Sequence, residues 1–153
     1  MTKPLPDLVA IFTLDEQSLA LDVVTVETIV EVVEISPVPG APRGVRGVIN
    51  MRGAVVPVYD LRVRFGKPER EVRITDYLVI ANTKRRKVAL IVDAAVGVVK
   101  VDQAQVVVAT EILPEFDAIE GVMKLDGDIV LIHDLDRFLS LEGQRELDAA
   151  LSG

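Results

Sequence analysis

The sequence predicts a mostly β protein built from two copies of one small unit, and three observations carry that expectation. Val and Ile number 27 and 11 in a chain of 153 residues, and their branched Cβ atoms fit pleated, half-buried strands better than helices. Short apolar runs alternate with turn signals along most of the chain. One segment also repeats. GVINMRGAVVPVYDL from Gly47 aligns with GVMKLDGDIVLIHDL from Gly121, with identities at Gly47/Gly121, Val48/Val122, Gly53/Gly127, Val56/Val130, Asp60/Asp134 and Leu61/Leu135.

Taken in order, Leu8 to Leu14, Asp15-Glu16-Gln17 and Leu19-Ala20-Leu21 read as a hairpin. Val23 to Glu27 is a short helix or turn, and Ile29 to Ile35 is mostly extended. Pro37, Pro39 and Pro42 make the next stretch a loop, because proline removes a backbone donor. Val45 to Met51 and Ala54 to Tyr59 form a second hairpin across Arg52-Gly53, and Asp60 caps a short helix, LRVRF. Strands follow at Arg73 to Asn82 and Lys87 to Val92 around the basic turn Lys84-Arg85-Arg86, which reads as a solubilising tip. Val98 to Val101 and Val106 to Ala109 are further apolar runs. Ile119 to Lys124 and Ile129 to His133 pair across Asp126-Gly127, a type I′ signal. A final helix starts near Asp134, breaks near Ser140 to Gly143 and ends in RELDAAL, where Leu147 and Leu151 form a packing stripe.

Within the repeat, Leu19-Ala20-Leu21 also matches Val88-Ala89-Leu90. Each copy is too short to be stable alone. Closing each sheet into a barrel removes its exposed edges. The approximate halves are 1–68 and 69–153 within one domain, with strands free to cross between them. Two barrels side by side leave a groove, the expected place for a partner.

Composition narrows the chemistry. Half the residues are hydrophobic and the formal charge is −7, which argues against a nucleic-acid binder, since phosphate neutralisation needs clustered Lys and Arg. With aromatics at 4% and no Trp, stacking platforms for single-stranded bases are unexpected. The absence of Cys rules out disulfides, thiolate catalysis and cysteine-held zinc. The longest strictly apolar run is about five residues, far short of the ~20 that span a bilayer, and the first residues lack the apolar centre of a signal peptide. A cytoplasmic protein without membrane insertion is the expectation.

Catalytic side chains are scarce. There is one His and four Ser (Ser18, Ser36, Ser140 and Ser152), none of them in a Gly-x-Ser-x-Gly setting. His133 reads as a strand-end residue with a satisfied ring. Asp126, Asp128, Asp134 and Asp136 cannot converge as an EF-hand, because the apolar run Ile129 to Ile132 lies between them; they read as a turn and a helix cap. The glycines Gly40, Gly44, Gly47 and Gly53 lead into a strand with no Lys-Ser or Lys-Thr, so the phosphate-loop requirements fail. No catalytic residue, metal or cofactor is expected.

Ser36 to Gly66, SPVPGAPRGVRGVINMRGAVVPVYDLRVRFG, resembles the signature segment of the CheW family of bacterial chemotaxis coupling proteins. The match is dense around Asn50-Met51-Arg52-Gly53, Val56-Pro57 and Asp60-Leu61-Arg62, and the likeness extends to GVMKLDGDIVLIHDLDRFLS in the second half. The resemblance implies two SH3-like five-stranded β-barrels packed side by side around a shared hydrophobic centre, with short helices and a C-terminal helix. It implies a non-enzymatic adaptor, held in the cytoplasm at receptor arrays, that links chemoreceptor cytoplasmic tips to the regulatory domain of the histidine kinase CheA. One departure stands out: Thr28 occupies a position where the family usually carries Glu, which leaves Arg52 short of a partner unless Glu27 or Glu31 replaces it.

The partner-binding residues expected on these grounds are Arg52, Gly53, Gly47, Asn50, Val23, Val26, Ile29 and Val48. Arg52 orients the hairpin or contacts a receptor, and the valines and Ile29 flank the groove. Two other readings stay open. One is a CheW-like adaptor of a non-flagellar chemosensory pathway. The other is a ligand-binding barrel with a deep pocket that holds His133 with Asp134 or Asp136.

Overall fold

The structure is a computed structural model that describes residues 5–63, 65–68, 70–102, 106–108 and 119–139. Eleven strands are present among them: β1 (Leu8–Leu14), β2 (Gln17–Asp22), β3 (Val26–Glu31), β4 (Val45–Met51), β5 (Ala54–Tyr59), β6 (Tyr77–Asn82), β7 (Lys87–Val92), β8 (Ala94–Lys100), β9 (Val107–Val108), β10 (Ile119–Leu125) and β11 (Asp128–His133). A 3₁₀ turn spans Val23–Thr25 and one helix, α1, spans Leu135–Leu139.

The strands form two sheets, in the orders β3-β6-β7-β5-β4 and β8-β1-β2-β11-β10-β9. Beyond β3 the chain runs on to Ser36, which bridges Val48 of β4 through two backbone bonds of 2.8 and 2.9 Å. That bridge closes the five-stranded sheet into a barrel. In the other sheet β9, which follows β8 in the chain, pairs with Gly121 and Val122 of β10. Val122 is the repeat partner of Val48, so both sheets close in the same way. These are the two SH3-like barrels that the sequence led us to expect.

The registers verify the repeat. Val58 and Tyr59 lie beside Ala89 and Leu90 in a parallel pairing, as Ile132 and His133 lie beside Ala20 and Leu21. The division at residue 68 does not separate the barrels, however. The five-stranded sheet combines β3, β4 and β5 from the first repeat with β6 and β7 from the second, and the hairpin β1–β2 completes the other barrel. The two repeats exchange their leading hairpins. Exchange buries β1, β2, β6 and β7 on both faces, so they read as continuous apolar runs rather than alternating ones.

Alternation still sorts their side chains. Val9 and Ile11 face one barrel interior with Ala20, Met123, Val130 and Ile132. Leu78, Ile80, Ala89 and Ile91 face the other with Ile49, Val56 and Val58. Ala10, Phe12, Leu14, Leu19, Leu21, Val79, Ala81, Val88, Leu90 and Val92 point the opposite way and meet in one seam between the barrels, where Tyr59, Leu61, Leu135, Phe138 and Leu139 join them. Each fully buried Leu, Val or Phe contributes roughly 1.5–3 kcal/mol, so this seam is the main force holding the barrels together. The centre between the barrels is therefore a packed apolar seam.

Several local expectations shift. LRVRF forms successive turns among its described residues instead of a helix, although Asp60 Oδ1 still accepts from Arg62 N at 3.1 Å. The strand expected from Arg73 starts at Tyr77, because Asp76 folds back to accept from Arg73 N at 2.7 Å. β8 starts earlier than expected, at Ala94. Ala109 and the end of the C-terminal helix, with Leu147 and Leu151, lie outside the described residues.

Candidate partner-binding surface

The β4–β5 hairpin presents its tip to solvent. Arg52 and Gly53 both take positive φ, 54° and 89°, the geometry of a two-residue type I′ turn. Asn50 Oδ1 accepts from Gly53 N at 2.8 Å and locks the turn from inside. Arg52 is exposed and makes no hydrogen bond or ion pair among the described residues. Asn50 and Gly53 thus shape the tip, and Arg52 is the group it displays.

Gly47 has a different task. It is buried at a bulge in the β4–β5 pairing, with φ at 147°. A Cβ there would sit 2.2 Å from the Ser36 carbonyl oxygen. Only glycine lets the Ser36 bridge approach closely enough to close the barrel. Val48, on the same bridge, is half-buried.

The remaining expected residues lie on the approach to β3. Val23 is half-buried in the 3₁₀ turn, and Val26 packs against the seam between the barrels. Ile29 is exposed, together with Val24 and Val33 nearby in the chain. The structure therefore divides the proposed apolar rim: Ile29 is available at the surface, whereas Val26 belongs to the core.

Thr28 is exposed next to a bulge that falls between Val26 and Thr28. Glu27, the extra residue at that bulge, forms an ion pair with Lys87 at 2.9 Å. The Lys87 bond, with help from Asn82 and from the charge of Arg52, holds its carboxyl below the usual range. Glu27 thus feels Arg52 electrostatically but is committed to Lys87.

Sequence reasoning missed the principal charged cluster. The Arg62 side chain is 1% exposed. Its Nε donates to Asp15 Oδ2 at 2.8 Å, its Nη2 to Asp93 Oδ1 at 2.7 Å and its Nη1 to Asp60 Oδ1 at 3.3 Å. Asp93 Oδ1 also accepts from Arg70 Nη2 at 2.9 Å, and Arg70 forks onto Asp76 at 3.0 and 2.9 Å. The Arg62 bond holds the Asp15 carboxyl below its ordinary value. Burial pushes Asp76 up, but the Arg70 fork and the Arg73 amide outweigh it and bring it down. A signal was present in the sequence: Asp93 is the one charged residue between Lys87 and Lys100.

His133 departs from expectation. Its ring is buried edge-on against Phe65 and Phe138, at centroid distances of 5.7 and 4.9 Å. Neither ring nitrogen has a hydrogen-bond partner among the described residues, so the ring is packed but not satisfied there. Burial alone pushes its pKa down to about 4, which keeps it neutral near pH 7. The cavity that includes Asp136, about 180 Å³, is lined also by Tyr59, Val88, Leu139 and the Thr83–Arg86 turn, and His133 is not among its lining residues. Among the described residues no cluster of His, Cys, Asp and Glu can hold a metal ion. Among them, too, no helix is long and apolar enough to cross a membrane.

Comparison with known proteins decides the family, because the CheW-like domain matches residues 8–145. The chain belongs to the CheW-like family. It is similar to the chemotaxis protein CheW of Thermotoga maritima, 33% identical over 129 residues that cover 84% of each chain. A second such relative, from Bacillus subtilis, is 31% identical over 137 residues and 88% of each chain. Among solved structures, the scaffolding protein TtCheW from Thermoanaerobacter tengcongensis superposes with a TM-score of 0.79 at 29% identity, over 92% of this chain and 97% of that one. In this CheW-like chain, the displayed Arg52 tip and the buried Arg62 cluster flank opposite ends of the same strand, β5.

Proposed function

We propose that this chemotaxis adaptor links the cytoplasmic tips of chemoreceptors to the regulatory domain of a CheA-type histidine kinase. It works in the cytoplasm and reaches the membrane only through those protein contacts. The observation that carries this reading is Arg52: an exposed charged side chain with no hydrogen bond or ion pair among the described residues, on a turn locked by Asn50. Arginine anchors of this kind dominate interface energetics when a partner desolvates them. Ile29 and Val48 supply apolar contact, while Gly47 and Gly53 hold the backbone of the β4–β5 hairpin.

Nothing in this role requires bond making. The protein contributes binding free energy and a fixed geometry between two partners, and weak individual contacts gain strength when many copies are arrayed. Thr28 favours a receptor set of its own, such as that of a non-flagellar chemosensory pathway, because Glu27 is held by Lys87 and does not replace the missing glutamate.

Reconstitution tests the reading: receptor-containing membranes, the cognate kinase and this protein, with kinase autophosphorylation as the readout. Stimulation that needs all three components supports it, and that stimulation falls with Arg52→Ala. Kinase activity indifferent to this protein at saturating concentration overturns it.

A further inference from the structure

We infer that Arg62, through its grip on Asp15 and Asp93, is the positioning residue that fixes the angle between the two barrels. The apolar seam is strong but non-directional, because burial energy depends on area and not on orientation. Charge-assisted hydrogen bonds are directional, and a guanidinium presents its donors in a rigid fork. Orientation between the barrels therefore has to come from a polar element that reaches both.

Arg62 is that element. It follows β5 and belongs to the five-stranded barrel. Asp15 lies in the β1–β2 turn of the other barrel. Asp93 lies at the crossover where the chain leaves β7 for β8, from one barrel to the other. The crossover is tied further to β1 by Asp93 N donating to Thr13 O at 2.8 Å, and Asp15 N donates to Asp93 Oδ2 at 2.7 Å. Lys67 Nζ adds a bond to Asp15 O at 3.3 Å. The β1–β2 turn and the β7–β8 crossover both meet one buried cation, Arg62.

The repeat supplies an internal control. The residue equivalent to Arg62 is Asp136, which also reaches across to the hairpin turn of the other barrel. It accepts one exposed bond, from Lys84 N at 2.7 Å. Arg62 thus holds its partners from a buried guanidinium through several bonds, whereas Asp136 meets Lys84 through an exposed one. Bonds to a buried cation resist water, and fully exposed ones compete with it. The Arg62 end sets the angle.

The absence of cysteine makes the test direct. Val55 on β5 is 63% exposed and Ile129 on β11 is 66% exposed, one on each barrel. Val55→Cys and Ile129→Cys, spin-labelled together in the full chain, report the distance between barrels by pulsed electron resonance. The reference protein gives one narrow distribution. Arg62→Met and Asp15→Asn each widen it, by roughly twofold for Arg62→Met, while amide protection of Ile11, Leu78 and Ile80 persists inside each barrel. Asp136→Ala leaves the width unchanged. If Arg62→Met does not fold, Asp15→Asn decides, since its carboxylate is about one-third exposed and its loss removes only one arm. An unchanged width in Asp15→Asn, or equal widening in Asp136→Ala, overturns the inference. No partner protein enters the measurement, so it stands or falls separately from the adaptor role.

Discussion

Arg62 Nε lies 2.8 Å from Oδ2 of Asp15, 47 residues earlier in the chain and in the other barrel. That one bond spans the exchange of hairpins between the repeats, and its cation is almost fully buried. Removing the cation strands Asp60, whose side chain is equally buried, and leaves Asp15 and Asp93 facing each other. Breaking a buried pair from one side costs about 3–5 kcal/mol. Arg62→Met is therefore expected to lose about that much in urea unfolding. A loss within experimental error would show that the node carries no net stability.

The same node holds a turn in an unfavourable conformation. Asp15 and Glu16 both have positive φ, 48° and 69°, where a side chain costs roughly 1–2 kcal/mol relative to glycine. The Arg62, Asp93 and Lys67 bonds all fall on Asp15 and leave Glu16 without a compensating one of that kind. Glu16→Gly creates the Asp-Gly pair that type I′ turns favour. It is expected to raise stability by about 1 kcal/mol, and the melting temperature by about 2–4 °C, in a thermal scan.

Gly47 behaves in the opposite sense. Its missing Cβ is the space into which the Ser36 carbonyl projects. Gly47→Ala is expected to cost about 3 kcal/mol, because the bridge to Val48 breaks and φ is strained. Hydrogen exchange reads this at the Ser36 and Val48 amides, which lose protection first. Gly53→Ala tests only the turn, since nothing lies within 4 Å of its Cβ position, and the Ser36 bridge survives it.

Burial of a neutral histidine makes stability depend on pH. The His133 pKa drops from 6.5 to about 4 on folding, so the unfolded chain takes up the proton first. The stability of the neutral ring is complete above pH 6.5 and is lost as pH falls toward 4, with a slope of about 1.4 kcal/mol per unit and a total of about 3 kcal/mol. His133→Leu is expected to flatten the denaturation profile between those values. The carboxylates act lower: Asp15 and Asp76 titrate below their ordinary value of 3.8 in the folded protein. Their contribution is present above that value and disappears as pH falls below it. A profile in which His133→Leu changes nothing above pH 4 would contradict this division.

The elements that sequence revealed were those governed by local chemistry. Asp126-Gly127 and Arg52-Gly53 marked their turns through the φ that glycine permits, and alternation marked the strands. The repeat exposed the equivalence of Val58 with Ile132 and of Ala89 with Ala20. It was silent on which sheet each leading hairpin joins, because both arrangements satisfy the same apolar pattern. The Arg62 node was equally hidden: its acids are 47 and 31 residues away, and no spacing rule links them. His133 was read as satisfied because strand ends usually find water or a backbone partner; here Phe65 and Phe138 enclose the ring. The turn at Arg52-Gly53 was legible from the motif. That Val26 faces the seam could not be read, since a valine on either face of a strand looks the same.

The measurement that tests the central claim most directly is a calorimetric titration of this protein against the regulatory domain of the CheA-type kinase from the same genome, repeated with the cytoplasmic tip of a receptor. The account predicts saturable binding to both, at about micromolar affinity for the kinase domain. It predicts that Arg52→Ala weakens receptor-tip binding at least about fivefold, an interface arginine costing more than about 1 kcal/mol on truncation, with stability changed by less than about 0.5 kcal/mol. No heat of binding to either partner at several hundred micromolar would contradict the adaptor role in its central point.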